Sequence, residues 1–201
     1  MTVIKLFLMI IKLFSSVFVI FALASCQINS TSQVFPELTF KHLKLLSLNV
    51  ARLEIVSSYN QPMSAPNVDH LFHTQPAGAL SNWAKDRFRA NGTNSFARFT
   101  IIEASVSETK LDKKKGIIGV FTKDQSERYD AILEAKLEIF DDSGHSKGFA
   151  KARATRSVTV REDSSINQRE QAWFNLTEKL VRDINAELEE NILKYLSRWL
   201  N

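Results

Sequence analysis

Apolar residues follow three rhythms along this chain, and each rhythm predicts a different kind of element. From Tyr129 to Phe140 they alternate, with Tyr129, Ala131, Leu133, Ala135, Leu137 and Ile139 on one side and Asp130, Glu134, Lys136 and Glu138 on the other. A period of two belongs to a half-buried β-strand. Phe149 to Val160 repeats the pattern, with Ala150, Ala152, Ala154, Val158 and Val160 against Lys151, Arg153, Thr155 and Thr159. Asp141-Asp142-Ser143-Gly144 between the two is a turn signal. Leu43 to Tyr59 also reads as extended, with Ala51, Leu53 and Ile55 opposed to Arg52 and Glu54. Phe96 to Leu111 alternates less regularly, and the adjacent Ile101 and Ile102 predict a bulge or a strand covered on both faces.

The second rhythm is helical. Leu80, Trp83, Ala84 and Phe88 recur at three- and four-residue spacing, after Thr74 as a possible cap and Pro76 in the first turn, and before Asn91-Gly92 as a left-handed stop. This spacing makes Trp83 a core residue. A longer stripe follows Ser165: Trp173, Leu176, Leu180, Ile184, Leu188, Ile192, Tyr195 and Trp199. Ser165 and Gln168 have the spacing of a capping box. Unbroken, such a helix would extend about 50 Å at ~1.5 Å per residue, beyond the end of a small sheet. Its last residues, Tyr195, Trp199 and Leu200, could then either join the core or project toward a partner.

Together these readings give an α+β chain of order β-α-β-β-β-α. They predict an antiparallel sheet of about four strands with two helices on one face and a long C-terminal helix. If the 141–144 turn is tight, Glu138 falls opposite Lys147, Glu134 opposite Lys151, Ala135 opposite Ala150, and Ala131 opposite Ala154. Oppositely charged cross-strand pairs contribute roughly 0.2–1 kcal/mol each, and a face of alanines lets a helix approach closely.

The third rhythm is continuous. Residues 1–25 hold Lys5 and Lys12, no acidic residue, and the runs Leu6–Ile11 and Val17–Leu23. A positive start, an apolar middle and small residues before a cut is the order of a secretory signal peptide. A transmembrane anchor is the competing reading, but Lys12 at the centre of a span would cost roughly 2.5–3.5 kcal/mol. The run ends at Leu23-Ala24-Ser25-Cys26, and Cys26 is the single cysteine of the chain. An exported protein that used disulfides would carry an even number of cysteines, so one thiol implies chemistry that consumes it.

The tetrad resembles the lipobox of bacterial lipoprotein precursors. The resemblance implies a diacylglycerol on the Cys26 sulfur, removal of residues 1–25 and acylation of the new terminus. Gln27, in place of Asp, implies by the same resemblance an outer-membrane destination facing the periplasm. Residues 26–36, polar from Gln27 to Gln33, then read as a lipidated cysteine with a flexible spacer, and 37–201 as one α+β domain. The leader with this element order also resembles small α+β envelope lipoproteins. These include the lipopolysaccharide-assembly lipoprotein that plugs an outer-membrane barrel and the auxiliary lipoproteins of lipid-transporting ABC systems.

Charge adds little. The chain carries 26 basic and 22 acidic side chains, net +4, and half of that excess lies in Lys5 and Lys12. A near-balanced remainder gives no reason to invoke nucleic acid. There is no G-x-S-x-G, P-loop or H-E-x-x-H motif. Asp69, His70 and His73 have metal-like elements, but a three-residue spacing serves a metal only on a helix, and residues 61–75, with Pro62 and Pro66, read as a loop. No catalytic residue, no metal site and no cofactor beyond the covalent lipid on Cys26 is expected.

One segment departs from its surroundings. Lys113, Lys114 and Lys115 precede Gly116, and Ile117, Ile118, Val120 and Phe121 follow before Lys123, all where a polar connection between strands is expected. These residues either extend the sheet and fold onto the core or form a tip that meets a bilayer or a partner. Lysines contribute about 1 kcal/mol each near an anionic surface, and apolar neighbours would insert beside them. Lys151, Arg153, Arg156 and Arg161 add positive charge on the following strand. The expectation is a periplasm-facing, membrane-anchored, non-enzymatic accessory in envelope assembly or lipid transport, acting on an envelope protein or a lipid. The alternatives are a hydrolase of envelope material, with His70 and His73 involved, and a purely structural lipoprotein.

Overall fold

The structure, a computed structural model, describes residues 35–111 and 125–201. Cys26 with its leader and the segment Lys113–Lys123 lie outside the described residues. The order of elements is β1 (Leu46–Leu48), β2 (Arg52–Ser57), α1 (Pro76–Arg87), β3 (Phe88–Ala90), β4 (Phe96–Glu103), β5 (Val106–Lys110), β6 (Gln125–Phe140), β7 (Ser146–Arg161) and α2 (Ile166–Tyr195). Single 3-10 turns occupy Asp69–Leu71 and Ser197–Trp199. The chain is α+β with a mostly antiparallel sheet, two helices and a long C-terminal helix.

β6 is the spine of the sheet. One side of it pairs with β7 along nearly its whole length, and the other pairs first with β5 and then with β4. The irregular stretch Phe96–Leu111 thus becomes two strands, with a register shift between Ile101 and Glu103 where the adjacent isoleucines signalled a bulge. β2 joins β4 in parallel, because the chain returns through α1 and a parallel neighbour requires such a crossover. β1 and β3 form a second, two-stranded parallel pair.

Both helices cover the face lined by the alternating residues. Tyr129, Ala131, Leu133, Ala135, Leu137 and Ile139 of β6 are all buried, as are Ala150, Ala152 and Ala154 of β7. Against these small side chains α2 lays Leu176, Leu180, Ile184, Leu188 and Ile192, all buried. Trp83 of α1 is fully buried, packs on Phe88 and Phe99, and donates its indole N–H to Asn185 Oδ1 of α2 at 2.8 Å. Beside it Arg87, 1 % exposed, reaches the Lys44 carbonyl and the Glu189 carboxylate. The capping box forms as its spacing predicts: Gln168 N–H donates to Ser165 Oγ at 3.3 Å, and the Gln168 side chain accepts from Ser165 N–H at 2.8 Å.

Four local expectations are corrected. The 141–144 turn is longer than a tight one. Asp141 Oδ1 accepts from the amides of Ser143 and His145 in a connection one residue longer, with Phe140 opposite Ser146. A register shift between Ile139 and Phe140 adds a second residue, so that Glu138 lies opposite Phe149, Glu134 opposite Arg153 and Ala135 opposite Ala152. The slip is an even number of residues, so every side chain keeps its face, and Lys151 still reaches Glu134 diagonally. At the start of α1 the N-cap is Gln75, with no side-chain cap. At its end the chain runs straight into β3, and Gly92 is not left-handed; it is small because a Cβ there would lie 2.6 Å from the Asn49 and Val50 backbone.

The fourth correction concerns the C-terminus. The 16-residue β6 and β7 each extend ~53 Å, as long as the 30-residue α2 at ~45 Å. The helix therefore ends over the sheet, and the chain turns back onto β1. Asn49 N–H donates to the Trp199 carbonyl, Asn201 N–H donates to that of Ser47, and Leu200 bridges Leu48. Trp199 packs over Gly148, and of Tyr195, Trp199 and Leu200 it is Tyr195 that is exposed.

Candidate functional site

The sequence-predicted contact residues Lys113, Lys114, Lys115, Ile117, Ile118, Val120, Phe121 and Lys123 lie outside the described residues; what is described is the base that carries them. Lys110 of β5 pairs with Glu127 of β6, and Leu111 N–H donates to the Ser126 carbonyl at 2.9 Å, so both ends of the segment start side by side at one end of the sheet. This base is braced from within. Glu127 accepts from the Tyr129 hydroxyl at 2.8 Å and from Arg169 of α2 at 3.0 Å. Burial and the Glu127 hydrogen bond push the Tyr129 hydroxyl upward in pKa. Trp173 stacks on Phe72 at 4.6 Å and meets Tyr129 edge-on at 5.5 Å. β5 is also sealed on its outer side, since Val68 N–H donates to the Val106 carbonyl and Glu108 N–H to that of Pro66. Past Arg161, the residue opposite Gln125, Ile166 opens α2 with 74 % exposure and adds an apolar group at this end.

The positive charge expected from β7 is largely countered in place. Lys151 and Arg153 share Glu134, Arg153 also approaches Glu103, Arg156 pairs with Asp183 of α2, and Arg161 with Asp163. The exposed face of the sheet is therefore a lattice of mixed charge. At its far corner Phe96 and Phe140 stack at 4.8 Å under Arg52 and Arg98.

The histidines are separated by the fold. Asp69 is buried, accepting from the Tyr59 hydroxyl at 3.1 Å, and the pKa of that hydroxyl is raised by burial and by the Asp69 charge. His73 instead lines a cleft of about 340 Å³ together with Phe35, Glu37, Thr74 and Asn82, whereas His70 does not. Phe35 stacks on Phe174 at 5.2 Å, and Asn82 donates to Glu37 at 3.0 Å, so the cleft exists because residues 35–40 are fastened across α1 and α2. No group of three His, Cys, Asp or Glu side chains that could hold a metal occurs among the described residues. A second groove of about 280 Å³ lies between Leu38, Phe40, His42 and Leu43 on one side and Glu178 and Arg182 of α2 on the other. Neither groove leaves a periodic signal along the chain, because the 35–43 stretch is positioned by distant contacts such as Phe40 N–H to Asp86 Oδ2.

No family model matches the chain, and no curated protein matches it. Among solved structures it is similar to the rare lipoprotein B from Shewanella oneidensis, at 11 % identity and a TM-score of 0.37, covering 69 % of this chain and 92 % of that one. It is also similar to a minor lipoprotein from Acinetobacter baumannii, at 14 % identity and a TM-score of 0.30, covering 69 % and 93 % of the two chains. A DUF330 protein from Xanthomonas campestris gives 9 % identity and a TM-score of 0.33 over 81 % and 88 %. Scores this low define no shared fold family.

Proposed function

We propose that the chain is a lipoprotein of the bacterial cell envelope, anchored through Cys26 in the outer membrane and facing the periplasm. It would act there as a non-enzymatic accessory in envelope assembly or lipid transport. The observation that carries the reading is the sole cysteine, placed directly after Leu23-Ala24-Ser25 at the end of an apolar, acid-free leader. On this reading the lipid on Cys26 is the attachment; among the described residues no helix is long and apolar enough to cross a membrane.

The working contact is the basic-apolar segment Lys113–Lys123 between β5 and β6. Its sequence joins four lysines to four apolar residues, and its two ends leave a base held by Glu127, Tyr129 and Arg169. A tip on such a base can meet a bilayer or a protein without disturbing the core. Site-specific photocrosslinking in intact envelopes tests this, with probes at Ile118 and Phe121. Lipid or one envelope protein should be captured at the tip, and Ala and Ser replacements through Lys113–Phe121 should abolish that association. Association unchanged by those replacements would refute the assignment.

A further inference from the structure

The outer edge of β7 is open over part of its length, whereas that of β5 is met by Val68 and Pro66. Ile132 N–H donates to the Ser105 carbonyl, so the even-numbered residues of β6 face β4 and β5 and its odd-numbered residues face β7. The register pairs those odd-numbered residues with even-numbered ones of β7, such as Ala135 with Ala152. The odd-numbered residues of β7 therefore direct N–H and C=O away from the sheet. Two of these positions are covered from α2 and its end, where Asn191 donates to the Lys151 carbonyl at 2.9 Å and Arg198 to the Lys147 carbonyl at 3.1 Å. Beyond Lys151, at Arg153, Thr155, Ser157 and Thr159, no partner meets the outward backbone among the described residues.

A groove of about 210 Å³ runs beside this open stretch, between β7 and α2. Val158, Ala172 and Leu176 give it an apolar floor, and Arg156, Asn175 and Lys179 give it polar walls. An open strand edge next to a groove is the arrangement that accepts an added strand: main-chain hydrogen bonds hold the peptide, and every second side chain enters the groove.

Charge selects the occupant. Arg156 is paired with Asp183, while Lys179 is exposed and has no ion-pair partner among the described residues, which leaves the groove one cation in excess. A second copy of this chain is disfavoured as the occupant, because β7 (Ser146–Arg161) contains no acidic residue to set toward Lys179. We infer that the edge Arg153–Thr159 docks an extended segment of a partner protein whose groove-facing side chains are small and apolar with one carboxylate set toward Lys179.

The test is a ¹⁵N NMR titration of the full chain in detergent micelles. The probes are the acetylated peptide Thr-Val-Thr-Glu-Thr-Val-Thr-Val and its counterpart with Lys in place of Glu. The Glu peptide should shift and protect the amides of Thr155, Ser157 and Thr159, and the Lys peptide should bind roughly tenfold more weakly. Ser157→Pro removes one outward N–H at an edge position where proline is tolerated, and should abolish the response. Ser157→Ala, which keeps the N–H, should retain it, and Lys179→Glu should reverse the preference between peptides. No change at these amides with either peptide at millimolar concentration would overturn the proposal. So would binding that survives Ser157→Pro, or concentration-dependent shifts at the same amides without peptide, which would make the edge a self-association surface.

Discussion

Adding one methyl group at either of two glycines should move stability in opposite directions. At Gly92 a Cβ would sit 2.6 Å from the Asn49 carbonyl carbon, the Asn49 Oδ1 and the Val50 nitrogen. Two of those atoms are backbone of the segment between β1 and β2, and Gly92 N–H itself donates to the Val50 carbonyl at 2.9 Å. The Asn49 side chain can turn aside but the two backbone atoms cannot, so Gly92→Ala must push the two segments apart. Overpacking of this kind costs typically 1–3 kcal/mol, and a backbone obstacle places it near the top, at about 3 kcal/mol. Gly78 lies in the first turn of α1 with nothing within 4 Å of its Cβ position. Gly78→Ala removes chain entropy from the unfolded state and should stabilise by about 0.5 kcal/mol. Urea unfolding followed by circular dichroism measures both. A midpoint lowered for Gly92→Ala and raised for Gly78→Ala is the expected result. Shifts of the same sign, or a neutral Gly92→Ala, would refute the close approach of residues 49–50 to residue 92.

Other substitutions test other joints. Leu180→Ala removes a fully buried side chain over the alanine face; small neighbours cannot fill the space, so a loss near 4 kcal/mol is expected in urea unfolding, while Leu193→Ala on the exposed face should stay within about 0.5 kcal/mol. Glu189→Ala strands the buried Arg87 guanidinium and should cost about 2–3 kcal/mol, below the 3–5 kcal/mol of a fully buried pair because Glu189 is partly exposed; Arg87→Met with Glu189→Leu should recover most of it. Lys147 and the His145 amide hold the Asp141 carboxyl down at about 2. A depressed folded-state pKa stabilises above the unfolded value and is lost as pH falls through the folded one, so stability should drop between about pH 4 and pH 2, and Asp141→Asn should flatten that part of the profile.

What the sequence revealed depended on how local the cause was. The alternation in Tyr129–Phe140 and Phe149–Val160 and the stripe from Leu176 to Ile192 are imposed by a single buried face, so they are visible residue by residue and reappear in β6, β7 and α2. The Ser165–Gln168 cap is equally local. The register of β6 against β7 was hidden in two local details: Asp141 gathers the Ser143 and His145 amides in a longer turn, and the ladder shifts by one residue between Ile139 and Phe140. The parallel pairing of β2 with β4 and the return of Trp199 and Leu200 to β1 arise from partners far away in the chain, which no periodicity records. Of the predicted contact, the composition of Lys113–Lys123 was legible, and the structure supplies the braced base at Lys110 and Glu127. The open edge of β7 escaped notice because its cause is the absence of a neighbour, and a strand at a sheet's edge reads the same as one inside it.

Membrane attachment turns on Cys26, and mass spectrometry of the protein isolated from native envelopes reads its state. The predicted N-terminal peptide begins at Cys26, carries diacylglycerol on sulfur and an acyl group on nitrogen, and is lost in Cys26→Ser, which should keep residues 1–25. A wild-type protein that retains Met1–Ser25, or that shows a free Cys26 thiol, would rule out lipid attachment at Cys26.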